Sequence, residues 1–164
     1  IKSFICICFH TAPLPYGRGG SPIQNLIKRG FKNAPLCAIK MENKIDSGPI
    51  YLKEKVSLKG NLDEIFFTLS KKILNIMKKL SKKKYYPKAQ KGKIVIFNRL
   101  KKSDSKLRLE QKLSEICDKI RMLDGEDYPR AYLENKNFKF EFTNAKMKKN
   151  SILCNAKITK YQKK

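Results

Sequence analysis

The sequence predicts an α/β chain that ends in a small α+β region, and three observations carry that prediction. Phe4 to Phe9 is apolar on both faces, the pattern of a fully buried strand in a parallel sheet covered by helices. A stiff loop rich in proline and glycine follows at once and leads into a helix that opens on Pro22. Far downstream, Phe138-Lys139-Phe140-Glu141-Phe142 alternates with period two, as a half-solvated antiparallel strand does.

The elements follow in order. The loop from Thr11 to Ser21 alternates residues that stiffen the backbone with residues that free it, which fixes its path. Ser21 is placed to cap the helix that begins at Pro22, runs to about Arg29 and stops at Gly30. Leu36 to Met41 reads as a second short strand, Asp46-Ser47-Gly48-Pro49 as a turn, and Ile50 to Val56 as an extended segment with interleaved lysines. Asn61 begins the clearest helix, with Glu64 three residues later completing a capping box. Leu62, Ile65, Phe66, Leu69, Ile73, Ile76, Met77 and Leu80 then recur on one face, opposite Lys71, Lys72, Lys78 and Lys79. Such a helix lies on a sheet with its basic side in water. Ser81 to Gly92 reads as a lysine-rich linker that ends a first domain, 1–92, before a smaller region, 93–164. In the latter, Ile94 to Phe97 is a short strand, and Leu107 to Leu123 is an amphipathic helix with Leu109, Leu113, Ile116, Ile120 and Leu123 on its apolar face. Ile152 to Ile158 is the partner of the 138–142 strand across a turn near Lys148 to Asn150, and the basic tail from Lys160 is expected to fray. No internal repeat is visible.

Composition narrows the function classes. With 164 residues and 41% hydrophobic content, the chain can build one ordinary core with a small appendage. A first residue that is Ile, inside an apolar run, suggests a fragment with upstream residues missing. That opening lacks the build of a secretory signal, and no stretch approaches the ~18 apolar residues of a membrane-spanning helix. A net charge of +24 favours anionic partners such as RNA, nucleotides or phosphorylated metabolites, although drift in an AT-rich genome also supplies lysines. Five cysteines, odd in number and mostly in apolar segments, argue against a disulfide framework and for a reducing, cytoplasmic setting.

His10, the sole histidine, stands at the end of the first strand, the edge where parallel α/β sheets bind ligands. Gly17, Gly19 and Gly20 would let backbone approach a ligand closely, Arg18 offers a fork for a carboxylate or phosphate, and the helix start at Ser21-Pro22 adds amide donors. A structural histidine bonded to a backbone carbonyl is the plainer reading of His10. Asp46 is a second candidate, since its turn can present a carboxylate, though simple turn aspartates are as common. Cys6, Cys8 and His10 alternate along one side of a strand, but ligands two apart are roughly 6 to 7 Å apart at the backbone. No fourth ligand has finger spacing, so no metal is expected.

The stretch His10 to Pro22 is similar to the signature of folate-dependent formyltransferases. That signature runs Asn-x-His, a Leu-Pro loop with Arg-Gly, then an Asp-x-Gly turn. This chain carries His10, Leu14-Pro15, Arg18-Gly19 and Asp46-Ser47-Gly48 in that order, with the aspartate 36 positions after the histidine. Cys8-Phe9-His10 followed by Pro15-Tyr16-Gly17-Arg18-Gly19-Gly20-Ser21-Pro22-Ile23-Gln24 resembles a shorter, methionyl-tRNA formyltransferase-like subfamily. Ile120 to Asp124 and Tyr128 to Ala131 resemble the start of the family's C-terminal region. The resemblance implies a partial Rossmann-like formyltransferase domain whose first β-α-β units precede Ile1. It implies formyltetrahydrofolate as donor and a primary amine as acceptor. It gives catalytic roles to His10, Asp46 and Cys8: Asp46 orients His10, and His10 handles the oxyanion or the amine proton. Cys8 stands where the family's asparagine holds the formyl oxygen, and a thiol is a weaker donor. Leu14, Pro15, Arg18, Gly19 and Gly20 would bind the cofactor. The short C-terminal region makes a nucleotide-linked amino sugar the first expectation for the acceptor. Methionyl-tRNA is the alternative, supported by the charge, and a catalytically impaired RNA-binding remnant is a further one.

Overall fold

The computed structural model describes residues 4–160, a mixed α/β chain with three small sheets. It divides into two compact units, one comprising residues 4–59 and 65–99, the other residues 60–64 and 100–160. The expected fraying of the basic tail concerns residues 161–164, outside the described residues; Lys160 itself closes the last strand.

In the first unit, β1 (Ile7–Thr11), β3 (Asn33–Lys40) and β4 (Ile50–Ser57) form one sheet in the order β1-β3-β4. Both pairings are antiparallel, with Ile7 opposite Lys40 and Thr11 opposite Leu36. The parallel sheet expected around the first strand is therefore corrected. An apolar run reports burial on both faces but not the direction of its neighbour, which backbone pairing with a distant segment decides. The strand also lies later than expected: Phe4 and Ile5 are 82% and 71% exposed, and His10 sits inside β1 rather than after it. Centre strand β3 buries Leu36, Cys37, Ala38 and Ile39 in succession.

Between β1 and β3 the expected loop contains a strand of its own. β2 (Tyr16–Gly19) pairs in parallel with β5 (Val95–Phe97), so the first unit runs beyond residue 92 to Arg99. Phe97 is buried against Tyr16 in an edge-to-face contact of 5.4 Å, and the Arg29 guanidinium lies 4.5 Å from its ring centre. α1 (Pro22–Lys28) opens on proline as expected, but the Ser21 side chain does not cap it. Ser21 instead takes φ 46°, and its carbonyl accepts from the Asn25 amide at 2.9 Å.

α2 (Leu62–Lys82) carries the expected capping box. The Glu64 amide donates to Asn61 Oδ1 at 2.9 Å, and the Asn61 amide donates to Glu64 Oε2 at 3.0 Å. Leu62, Ile65, Leu69 and Ile76 are buried, whereas Met77, expected on the same face, is 54% exposed. Glu54 on β4 ties the helix down, accepting from Lys79 Nζ and Asn75 Nδ2, both at 2.7 Å, with Lys72 Nζ at 3.4 Å. Those lysines, the Lys79 hydrogen bond foremost, hold the Glu54 carboxyl below its usual range.

In the second unit the amphipathic helix is shorter than its pattern, running as α3 over Leu113–Met122. Leu107 leaves the helical register because its amide donates to Tyr132 O at 2.8 Å, and Leu109, expected on the apolar face, is 83% exposed. β6 (Ala131–Glu134), β7 (Phe138–Met147) and β8 (Ile152–Lys160) form an antiparallel sheet in that order, with the β7-β8 turn closed by Lys148 N–H to Ser151 O. Asp124 organises the unit. Its carboxylate accepts from Arg130 Nη1 and from the Asn144 amide, both at 2.8 Å, and its carbonyl accepts from the Leu62 amide at 3.2 Å.

Candidate active site

β1 and the turn after β3 bring His10 and Asp46 together. Consecutive strand residues face opposite ways, so Cys8 and His10 share a side of β1. His10 is 7% exposed. Its Nε2 lies 2.7 Å from the Gly17 carbonyl, which can only accept, so Nε2 carries the hydrogen of that bond. Nδ1 then faces Asp46 Oδ2 at 3.4 Å. The same carboxylate oxygen accepts from the Gly19 amide at 2.8 Å. Asp46 itself adopts φ 50°, a left-handed conformation that aspartate tolerates better than most residues.

Both plain readings of these two residues are thus present in part, since His10 does bond a backbone carbonyl and Asp46 does sit in a turn. What a structural histidine would not need is a carboxylate at its other ring nitrogen. The thiol of Cys8 lies in the same electrostatic neighbourhood: burial first, then the Asp46 charge, pushes it above its ordinary range. Cys8 is a neutral thiol there. Cys37, opposite His10 in the sheet, is pushed up to about 11 by burial, and its Sγ donates to Ala12 O at 3.4 Å.

The loop residues expected to hold a cofactor have other partners. Arg18 Nε and Nη2 both donate to Gln90 Oε1, at 3.1 and 2.8 Å. The close approach permitted by Gly19 is to β5, for a Cβ there would stand 2.5 Å from the Phe97 carbonyl. Gly20 similarly lies against the backbone of Arg99. Leu14 and Pro15 are buried, joined by a cis peptide bond. Leu14 also lines a hollow of about 510 Å³ with residues 50–53 and 88–91.

The hollow that adjoins the His10–Asp46 pair is another one, of about 330 Å³, lined by Cys8 and the stretch Ile39–Gly48. Its size is within the ordinary range for small-molecule sites. Apart from Cys8 and the Asp46-Ser47-Gly48 turn, these lining residues escaped the sequence reading. A signal was present: Met41 and Ile45 are apolar residues in a polar turn, and they are 54% and 75% exposed. Gln90 escaped it too, inside a segment read as linker. Its Nε2 donates to the carbonyls of Asp46 and Gly48, at 2.7 and 2.8 Å.

Residues 102–159 match the family model described as the C-terminal domain of methionyl-tRNA formyltransferase. The methionyl-tRNA formyltransferase of Malacoplasma penetrans is 29% identical over 158 residues, which cover 89% of this chain and 49% of that protein. The chain thus spans about half the length of the curated relatives it matches. The structure of methionyl-tRNA formyltransferase from Clostridium thermocellum superposes with a TM-score of 0.94 at 41% identity, covering 98% of this chain and 71% of that one. WlaRD, a sugar 3N-formyl transferase solved in the presence of dTDP and 5-N-formyl-tetrahydrofolate, reaches a TM-score of 0.66 at 16% identity over 96% of this chain and 65% of its own. At that identity the likeness is one of fold.

Proposed function

The chain belongs to the folate-dependent formyltransferase family, and on that premise we propose that the protein formylates the amino group of methionyl-tRNA. The observation that carries the reading is the pairing of buried His10 with half-buried Asp46 beside a small-molecule-sized hollow. The sheets of the first unit are, in this reading, the later part of a Rossmann-like catalytic domain. The match over residues 102–159 favours a tRNA acceptor over the nucleotide-linked amino sugar that the short C-terminal region first suggested.

The hollow suits a folate-type ring. Ile39, Met41 and Ile45 offer apolar walls, and backbone between Lys40 and Gly48 offers polar edges. Formyltetrahydrofolate supplies the formyl group. The residues of this chain manage the proton and the charge. As the acceptor amine bonds to the formyl carbon it must lose a proton, and the pair formed by His10 Nδ1 and Asp46 Oδ2 takes it up between them. Asp46 Oδ2, at 3.4 Å, stabilises the imidazolium so formed, while the Gly17 carbonyl keeps the ring from turning. The proton then passes to the departing nitrogen. Since Nε2 is bonded to Gly17, proton handling suits His10 better than holding the oxyanion. Cys8, a thiol whose ionisation burial and Asp46 disfavour, would offer that oxygen only a weak donor.

The test incubates the full-length protein with formyltetrahydrofolate and, separately, methionyl-tRNA and nucleotide-linked amino sugars. The reading predicts formyl product in the tRNA reaction alone. Product only with sugars would return the acceptor to that class. Salt-sensitive tRNA binding without product from either pool would make the chain a binding remnant.

A further inference from the structure

Gln90 lies in a segment that sequence alone marks as a linker, yet its amide is used in full. Oε1 accepts twice from the Arg18 guanidinium, and both Nε2 hydrogens are donated, to Asp46 O and Gly48 O. A glutamine amide has two donor hydrogens and two acceptor lone pairs, so nothing is left over for solvent or substrate. The two carbonyls it holds flank Ser47, at the centre of the turn that presents Asp46. The Asp46 backbone is left-handed, at φ 50°, a conformation its surroundings help to hold in place. Here the constraint comes from two sides. Gln90 grips the backbone of the turn, and the Gly19 amide grips its carboxylate at 2.8 Å. Arg18, one residue before Gly19 on β2, is held by that same Gln90. A single side chain therefore joins the strand that binds the Asp46 carboxylate to the turn that carries it.

Resting on the formyl-transfer reading of His10 and Asp46, we propose that Gln90 is a positioning residue that sets the Asp46 carboxylate against His10 Nδ1. Gln90 itself touches neither amine nor formyl group. Its requirement is for an amide. A glutamate of the same length keeps two acceptors for Arg18 but has no hydrogen for either carbonyl, and it sets carboxylate oxygens against the carbonyl oxygens of Asp46 and Gly48. A leucine of similar bulk loses all four bonds.

The experiment compares Gln90→Glu and Gln90→Leu with wild type in the full-length protein, by formyl-transfer kinetics and by hydrogen exchange at the Gly19 amide. Displacing a catalytic group by about 1 Å can cost 10²-fold. Both variants are expected to lose about tenfold to hundredfold in kcat with the KM for the acceptor unchanged. The Gly19 amide, losing its hold on Asp46 Oδ2, exchanges about tenfold faster in both. Wild-type kcat with Gly19 still protected, in either variant, overturns the proposal. So does loss in the leucine variant alone, because the Arg18 bonds would then suffice. A wild-type protein that transfers no formyl group refutes the functional reading, while the Gly19 exchange rates still decide whether Gln90 holds the turn.

Discussion

Two sheets in this chain share one wiring and differ in nearly everything else. β1-β3-β4 and β6-β7-β8 are both three-stranded and antiparallel, each with its middle strand paired on both sides. In the first, four consecutive residues of β3 are buried, which requires cover on both faces. In the second, no residue of β7 is fully buried, and β8 is exposed along most of its length. Hydrogen-bond topology therefore says little about what a sheet is for. A sheet covered on both faces excludes water, and charges within it act strongly and must be matched. His10 on β1, 7% exposed, accordingly has a partner at each ring nitrogen, the Gly17 carbonyl at Nε2 and Asp46 Oδ2 at Nδ1. An open sheet leaves its charges solvated. Lys146, Lys157 and Lys160 lie exposed there, where they can meet a large polyanion at a salt-dependent distance.

The sharpest way to separate the two sheets is to remove chemistry from the first. His10→Ala or Asp46→Ala should lower kcat for formyl transfer by about 10²–10⁴. Binding of methionyl-tRNA, followed by filter retention, should be nearly unchanged. Full activity in His10→Ala would break the assignment.

Next comes stability. Leu36→Ala, at a residue 1% exposed in β3, should cost about 2–5 kcal/mol in chemical denaturation. Leu153→Ala, at a residue 57% exposed in β8, should stay within about 0.5 kcal/mol. Similar costs at the two sites would erase the contrast.

The converse experiment strips charge from the open sheet. Lys146→Ala with Lys157→Ala should weaken tRNA binding at all sequences and lower the salt slope by about 1 for each phosphate contact removed. The kcat at saturating acceptor should hold. A slope equal to wild type would mean that other lysines carry the contact.

The smallest effect concerns Cys8. Burial and the Asp46 carboxylate both disfavour its thiolate, so alkylation at neutral pH should be slower than for a free thiol and should rise only in the alkaline range. Asp46→Asn removes the negative charge, lowers the thiol's pKa and moves the onset of alkylation to lower pH. Burial, the larger cause, remains, and the onset should stay above that of a free thiol. An onset moved to higher pH would place Cys8 outside the field of Asp46.

Much of the site could be read from the sequence and some could not, for definite reasons. His10 and Asp46 were legible from their positions, and Cys8 only through the resemblance of its motif; the three lie near one another in the structure. Arg18 was legible as a fork but not as one whose Nε and Nη2 meet Gln90. Gly19 was legible as a close approach, but not as an approach to Phe97. In both cases the residue type states a capacity, and a segment more than seventy positions away supplies the partner.

The same division runs through the whole chain. By itself the sequence determined what depends on neighbours a few positions apart: the capping box of Asn61 and Glu64, the proline that opens α1, and the turn between β7 and β8. Such features close with bonds between residues three or four apart, so a short window contains all their physics. Only tertiary structure decided that β1 pairs antiparallel with β3, that β2 is a strand beside β5, and that Gln90 holds the Asp46 turn. Each needs a partner tens of residues away, and any one strand or amide has many possible partners until packing selects one.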